Sequence, residues 1–186
     1  MNTYLTYLII IISIIVIGYI ISIFNRLIQL KNNIKKSSAN IDVLLKQRSD
    51  EVPNLVEIVK GYMKHEKQTL LDLTKIRTQL TTSQTINKKA QLSGEMSSTL
   101  KTIFAVAENY PKLQANENFL SLQKRLSELE DQIADRREFY NDSVTNYNTR
   151  ITIFPDTLIA KMFKYQEELL FVASDQEKKN VKVQRK

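Results

Sequence analysis

The chain has 186 residues, a net charge of +7, no Cys, no Trp, three Gly and three Pro. Without Cys there is no disulfide framework, thiolate metal site, catalytic thiol or acylated cysteine. So few Gly and Pro exclude a turn-rich β-protein. Beyond a hydrophobic N-terminal run about 160 residues remain, enough for one domain with a buried core.

Residues 1–25 read as a membrane anchor. Tyr4 to Phe24 is a run of 21 residues without a charge. A hydrocarbon core of roughly 30 Å takes about 20 apolar residues at the helical rise of ~1.5 Å each. Tyr4 and Tyr7 at one end, and Tyr19 and Phe24 at the other, sit where aromatic rings favour the headgroup level. A cleaved secretory signal needs a basic leader, a shorter apolar core and a small-x-small cleavage site. Here no Lys or Arg precedes Arg26 and the first Ala is Ala39, so an uncleaved anchor is expected. Gly18 and Ser22 have the spacing that lets two anchors approach, or they simply face lipid.

Helical spacing continues at once through Leu27, Leu30, Ile34, Ser37, Ile41, Leu44 and Arg48. The first helix therefore runs straight out of the membrane. At Ser49-Asp50, just ahead of Val52-Pro53, two outcomes compete. A tight turn opens a new helix near Asp50 with Pro53 in its first turn, or one continuous helix kinks at Pro53. The turn is the expectation. The second helix then carries Leu55, Val59, Tyr62, Leu73, Ile76 and Leu80 and ends at Thr81–Gln84. A third runs through Met96, Leu100, Ile103 and Ala107, its start weakened by Gly94, and stops before Pro111. The fourth, capped by Asn116 or Asn118 and ended by Pro155, has the clearest stripe. It is Phe119, Leu122, Leu126, Leu129, Ile133, Tyr140, Val144, Tyr147, Ile151 and Phe154, broken at Arg136. The expected fold is all-α: a transmembrane helix followed by an antiparallel bundle of four long helices over residues 26–174. Residues 175–186 are expected as a basic disordered tail.

The placement of charge sets orientation. Arg26 to Arg48 carries a net +5 and Asp175 to Lys186 a net +3, while Ser49 to Ser174 carries −1. Basic residues just past the apolar run mark the cytoplasmic side, which puts the N-terminus outside and the bundle in the cytoplasm of a cell that holds it in its inner membrane. A nucleic-acid-binding domain carries its surplus on a folded face, so the expected charged partner is lipid. Candidate lipid contacts are Arg26, Lys31, Lys35 and Lys36 beside the membrane, and Lys178, Lys179, Lys182, Arg185 and Lys186 in the tail. If the helices alternate away, back, away and back, Phe154-Pro155 returns to the bilayer. Leu158, Ile159, Met162, Phe163, Leu169, Leu170 and Phe171 then either lie against headgroups or cap the open end of the bundle.

No catalytic constellation stands out. There is no G-x-S-x-G, P-loop or G-x-G-x-x-G. The lone His65, with Glu57, Glu66 and Asp72 nearby, does not make a transition-metal set. No cofactor is expected. Glu128, Glu130 and Asp131 read as the solvated side of the fourth helix. A repeated Tyr-Asn pair is more suggestive: Tyr140 and Tyr147 lie on the apolar stripe, and Asn141 and Asn148 lie at its border, one turn past Arg136 and Arg137. Buried hydroxyls and amides need partners, and a buried Arg needs a carboxylate. These six residues form a candidate polar seam, which either fixes helix register or binds a partner.

Four stretches together resemble the bacterial LemA family: NIDVLLKQRSDEVPNLVEIVKGYMKHE (40–66), AENYPKLQANENF (107–119), YNDSVTNYN (140–148) and FPDTLIAKMFKY (154–165). They occur in family order, and the resemblance covers about residues 24–171. It implies a long-helix bundle, single-pass attachment and no established enzymatic activity. It also implies links to membrane organisation in magnetosome-forming bacteria and gene neighbourhoods that hold membrane proteases. The expected role is a non-catalytic scaffold or adaptor with an unidentified protein partner, a membrane protease among the candidates. The alternative is a lipid-surface module driven by the basic ends. Two departures stand out: the family's usual Trp near Ser37-Ser38-Ala39 is missing, and so is its usual Gly just before Tyr165.

Overall fold

The computed structural model describes residues 3–63 and 65–172. It is all-α, with six helices among the described residues: α1 (Thr3–Lys60), α2 (Lys67–Thr82), α3 (Ile86–Ala107), α4 (Pro111–Gln114), α5 (Glu117–Thr152) and α6 (Asp156–Met162). The charge-free N-terminal run of α1 is exposed throughout as far as Ser22. From there the same helix turns one face inward at Ile23, Leu27, Ile34, Ile41, Leu45, Arg48, Val52, Leu55 and Val59. Steps of three, four and seven keep these side chains on a single seam. The facing seam on α5 is Phe119, Leu122, Leu126, Leu129, Ile133, Tyr140, Val144, Tyr147 and Ile151. The two helices run antiparallel along most of the length of α5, with Glu51 of α1 paired to Arg125 and Ser37 meeting Ser143.

The expected turn at Ser49-Asp50 does not exist; α1 continues through Pro53 to Lys60. A proline inside a helix costs about 3 kcal/mol, partly because it cannot donate to the carbonyl four residues earlier. That carbonyl belongs to Ser49, and Arg77 of α2 donates its Nε–H to it at 2.9 Å. The helix survives because a neighbour supplies the missing donor. Arg77→Ala should therefore cost about 1–2 kcal/mol, the penalty of an orphaned buried acceptor. In a Pro53→Ala background, where position 53 regains its N–H, the same change should cost much less. Urea unfolding of the four detergent-solubilised proteins measures the difference; equal costs would show that the two residues are not coupled.

The reversal comes instead at Gly61–Glu66, where the N–H groups of Tyr62 and Met63 both bond to Val59 O. Leu55 and Val59 thus belong to α1, and α2 opens at Lys67 instead of Asp50. Gly94 lies inside α3 and not at its start. Asn116 is the cap of α5, its side chain accepting from Phe119 N–H at 3.1 Å, and the helix stops at Thr152.

The four helices are unequal, and this divides the molecule into two tiers. At ~1.5 Å per residue, α2 and α3 reach roughly 24 and 33 Å, whereas α5 reaches roughly 54 Å. Lys89, near the start of α3, pairs with Asp42 of α1 at 2.7 Å. The four-helix antiparallel bundle lies on the membrane-distal side of that level. Of these four helices, α1 and α5 alone continue side by side toward the anchor, where the short α6 packs on both.

Here the chain's end takes the place of further helices. After α6 the backbone closes with the Tyr165 N–H bonded to Ala160 O (2.9 Å) and the Lys164 N–H to Lys161 O (3.1 Å), with Lys164 at φ 55°. This is the left-handed helix ending that favours glycine. It explains why the resemblance calls for Gly just before Tyr165. An extended segment, 165–172, then runs back along α5.

Candidate functional site

Of the six residues of the candidate seam, Tyr140, Asn141, Tyr147 and Asn148 bond to the extended segment 165–172. The Asn148 amide donates to Glu168 O and accepts from Glu168 N–H, both at 2.9 Å. Seven residues earlier, Asn141 accepts from Phe171 N–H at 2.8 Å and donates to Phe171 O at 3.3 Å. The two tyrosines supply the alternate rungs: Tyr147 Oη donates to Gln166 O (3.1 Å) and Tyr140 Oη to Leu169 O (2.9 Å). Burial raises both phenols above their ordinary range, with the nearby Glu168 adding to it. Residues spaced by seven on a helix share one face, so a Tyr-Asn repeat makes a ladder that grips an extended backbone. Two rings pack along the ladder: Phe171 lies edge-on to Tyr140, and Tyr165 edge-on to Tyr147. The seam therefore closes the lower tier with the chain's own C-terminal segment.

Arg136 and Arg137 are not the buried arginines that the break in the stripe suggested. Arg136 is exposed, its guanidinium 5.7 Å from the ring of Phe139. Arg137 is half-buried, with its guanidinium 5.3 Å from the ring of Phe171. The helix brings position 137 toward the seam and turns 136 outward.

The buried arginine is Arg48, fully enclosed between α1, α3 and α5. Its guanidinium pairs with Glu130 and donates to Ser97 Oγ at 3.0 Å and Ser93 Oγ at 2.7 Å. Ser97 Oγ in turn donates to the other Glu130 oxygen at 2.6 Å. Burial lowers the guanidinium below its ordinary value, and Glu130 opposes that. Glu130 is thus not part of the solvated face. The signal in the sequence was Arg48 on an otherwise apolar stripe; nothing local marks Glu130 as its partner. A second buried ion pair, Arg150 with Asp156 at 2.9 Å, joins the end of α5 to the start of α6.

The basic residues beside the membrane are exposed on α1. Arg26 lies two residues past Phe24. Lys31 pairs with Glu168 at 3.7 Å and lies 5.7 Å from the ring centre of Tyr165. Lys35 and Lys36 stand roughly 17 Å up the helix from Phe24. Lys178, Lys179, Lys182, Arg185 and Lys186 lie outside the described residues. His65 is exposed, and among the described residues no group of three or more His, Asp or Glu gathers as a metal site would require.

The model of the LemA family matches residues 37–184. A protein LemA of Metamycoplasma hominis is 26% identical over 159 residues, which is 84% of this chain and 72% of that protein. Magnetosome protein MamQ 2 of Paramagnetospirillum magneticum is 37% identical over 67 residues, 36% of this chain and 25% of its own length. Magnetosome protein MamQ of Magnetospirillum gryphiswaldense is 34% identical over 62 residues, 33% of this chain and 23% of its own length.

Proposed function

The chain belongs to the LemA family, and from that premise we propose that it is a membrane-anchored, non-catalytic helical scaffold with its bundle in the cytoplasm. One observation carries this reading: the apolar N-terminal run and one wall of the bundle are the same uninterrupted helix, Thr3–Lys60. From Phe24 to Lys60 that helix rises roughly 54 Å. A bundle built on it is held at a set reach from the bilayer, as a platform for another protein requires. Exposed apolar side chains on the distal tier, Leu71 on α2 and Leu120 on α5, offer contact points. Membrane organisation is the process that the family resemblance brings forward, and the magnetosome relatives are matched over about a quarter of their length. A membrane protease is the partner class that the family resemblance brings forward.

Orientation rests on the step in charge at Arg26. Single cysteines at Thr3 and at Ser83 in this Cys-free chain should react oppositely with an impermeant thiol reagent on intact cells, Thr3 labelling and Ser83 not. Any outer membrane is permeabilised first. The reverse pattern overturns the topology.

The scaffold reading is tested with a photo-reactive residue at Leu71 or Leu120, in the full chain and in native membranes. A discrete protein adduct at these positions, absent when the probe stands at Lys36, supports it. Lipid adducts alone would favour a lipid-surface module instead.

A further inference from the structure

At the membrane end of the molecule, several large apolar side chains have no protein to cover them. Phe154 is 78% exposed, Leu158 59%, Met162 64% and Phe163 50%. On the distal tier the exposed Leu71 and Leu120 stand on separate helices. Phe154, Leu158, Met162 and Phe163 share one end and, in α6, one face: Leu158 and Met162 are four apart, and Ile159 and Ala160 on the opposite face are buried. The segment turns Phe154, Leu158 and Met162 outward, and Phe163 keeps one side of its ring against Phe24.

The height of this face along α1 decides what covers it. The Phe163 ring lies 4.8 Å from the ring of Phe24, the last residue of the charge-free run. Ile23, one residue deeper in that run, is only 6% exposed, and α6 packs on α1. The outward face of α6 thus stands level with the last turn of the anchor, where the hydrocarbon core meets the headgroups. Lys161 is exposed on α6, Lys164 in the turn just past its end, and Arg26 on the adjoining turn of α1. Long basic side chains at this depth reach phosphates while apolar neighbours sink below them.

We propose that α6 and the preceding Phe154 form a second, monotopic membrane contact, with Phe154, Leu158, Met162 and Phe163 seated at the boundary between acyl chains and headgroups. The occupant of this face is the bilayer. The bundle is then held at two points, the spanning helix and an in-plane α6 tied to the end of α5 by Arg150–Asp156, so the bundle cannot swivel freely about the anchor. This contact is independent of the partner on the distal tier and needs no residue of the basic tail.

The absence of Cys makes the test direct. Single cysteines replacing Leu158, Met162, Ile20 or Val43 carry nitroxide labels on the full chain, reconstituted in phosphatidylcholine–phosphatidylglycerol vesicles. Collision with oxygen reports lipid, and collision with a water-soluble nickel complex reports solvent. Labels at 158 and 162 should favour oxygen over nickel several-fold more than the label at 43, approaching the label at 20. All substituted positions are exposed, so folding is not at issue. Ratios at 158 and 162 equal to that at 43 would place the face in water and overturn the proposal. Low collision with both reagents would place it against another protein copy and overturn it equally.

Discussion

Tyr147→Ala should destabilise the bundle by about 3–5 kcal/mol, the range for truncating a buried aromatic side chain. The ring is fully enclosed on the α1–α5 seam, packs edge-on to Tyr165, and its hydroxyl donates to Gln166 O. Removal therefore opens a cavity in the tier with the fewest helices and frees one rung of the ladder. Tyr147→Phe isolates the rung and should cost about 1 kcal/mol, the net worth of one hydrogen bond. Glu128→Ala, on the exposed side of the same helix, should change stability by less than about 0.5 kcal/mol. Urea unfolding followed by circular dichroism distinguishes the three. Equal losses for Tyr147→Ala and Glu128→Ala would contradict the assignment of the buried face.

Glu130→Ala should come second, at about 2–4 kcal/mol. It leaves the enclosed Arg48 guanidinium with two serines and no counter-charge. The value falls below the usual figure for a stranded buried ion because the Glu130 side chain keeps 36% of its exposure. Arg48→Met in the same background should recover much of the loss, since an apolar chain of similar length needs no partner. If Glu130→Ala and Glu130→Ala with Arg48→Met unfold at the same urea concentration, the cost does not come from the uncompensated charge.

The anchor and the buried face of α5 were legible because each is a property of one continuous stretch: charge-free length in one case, seven-residue recurrence in the other. The cap of α5 was legible as one of two residues, Asn116 or Asn118, since a cap acts within three residues. What escaped depends on residues far apart. Pro53 looked like a helix breaker because its rescuer, Arg77, lies on another helix 28 residues away from Ser49. Glu130 looked solvated because Arg48 is 82 residues distant. The Tyr-Asn repeat stood out in the sequence, yet the segment it bonds did not, because an extended segment such as 165–172 has no helical period. The helix bounds near Gly61 escaped too: Glu66 makes no side-chain cap to announce α2.

The long reach of α1 has a consequence for biosynthesis. Ser37 and Ser143, whose hydroxyls lie 3.4 Å apart, are separated by 106 residues. The distal part of the α1 seam is covered as soon as α2 and α3 emerge, but Leu27, Ile34 and Ile41 wait for Tyr140 to Ile151. At about 5–20 residues per second, the anchor is already in the bilayer for roughly 5–20 s while that lower stripe stands bare above the headgroups. A nascent chain interrupted before Tyr140 is therefore a tethered helix with an uncovered apolar face, already seated in the membrane and open to chaperones and proteases there.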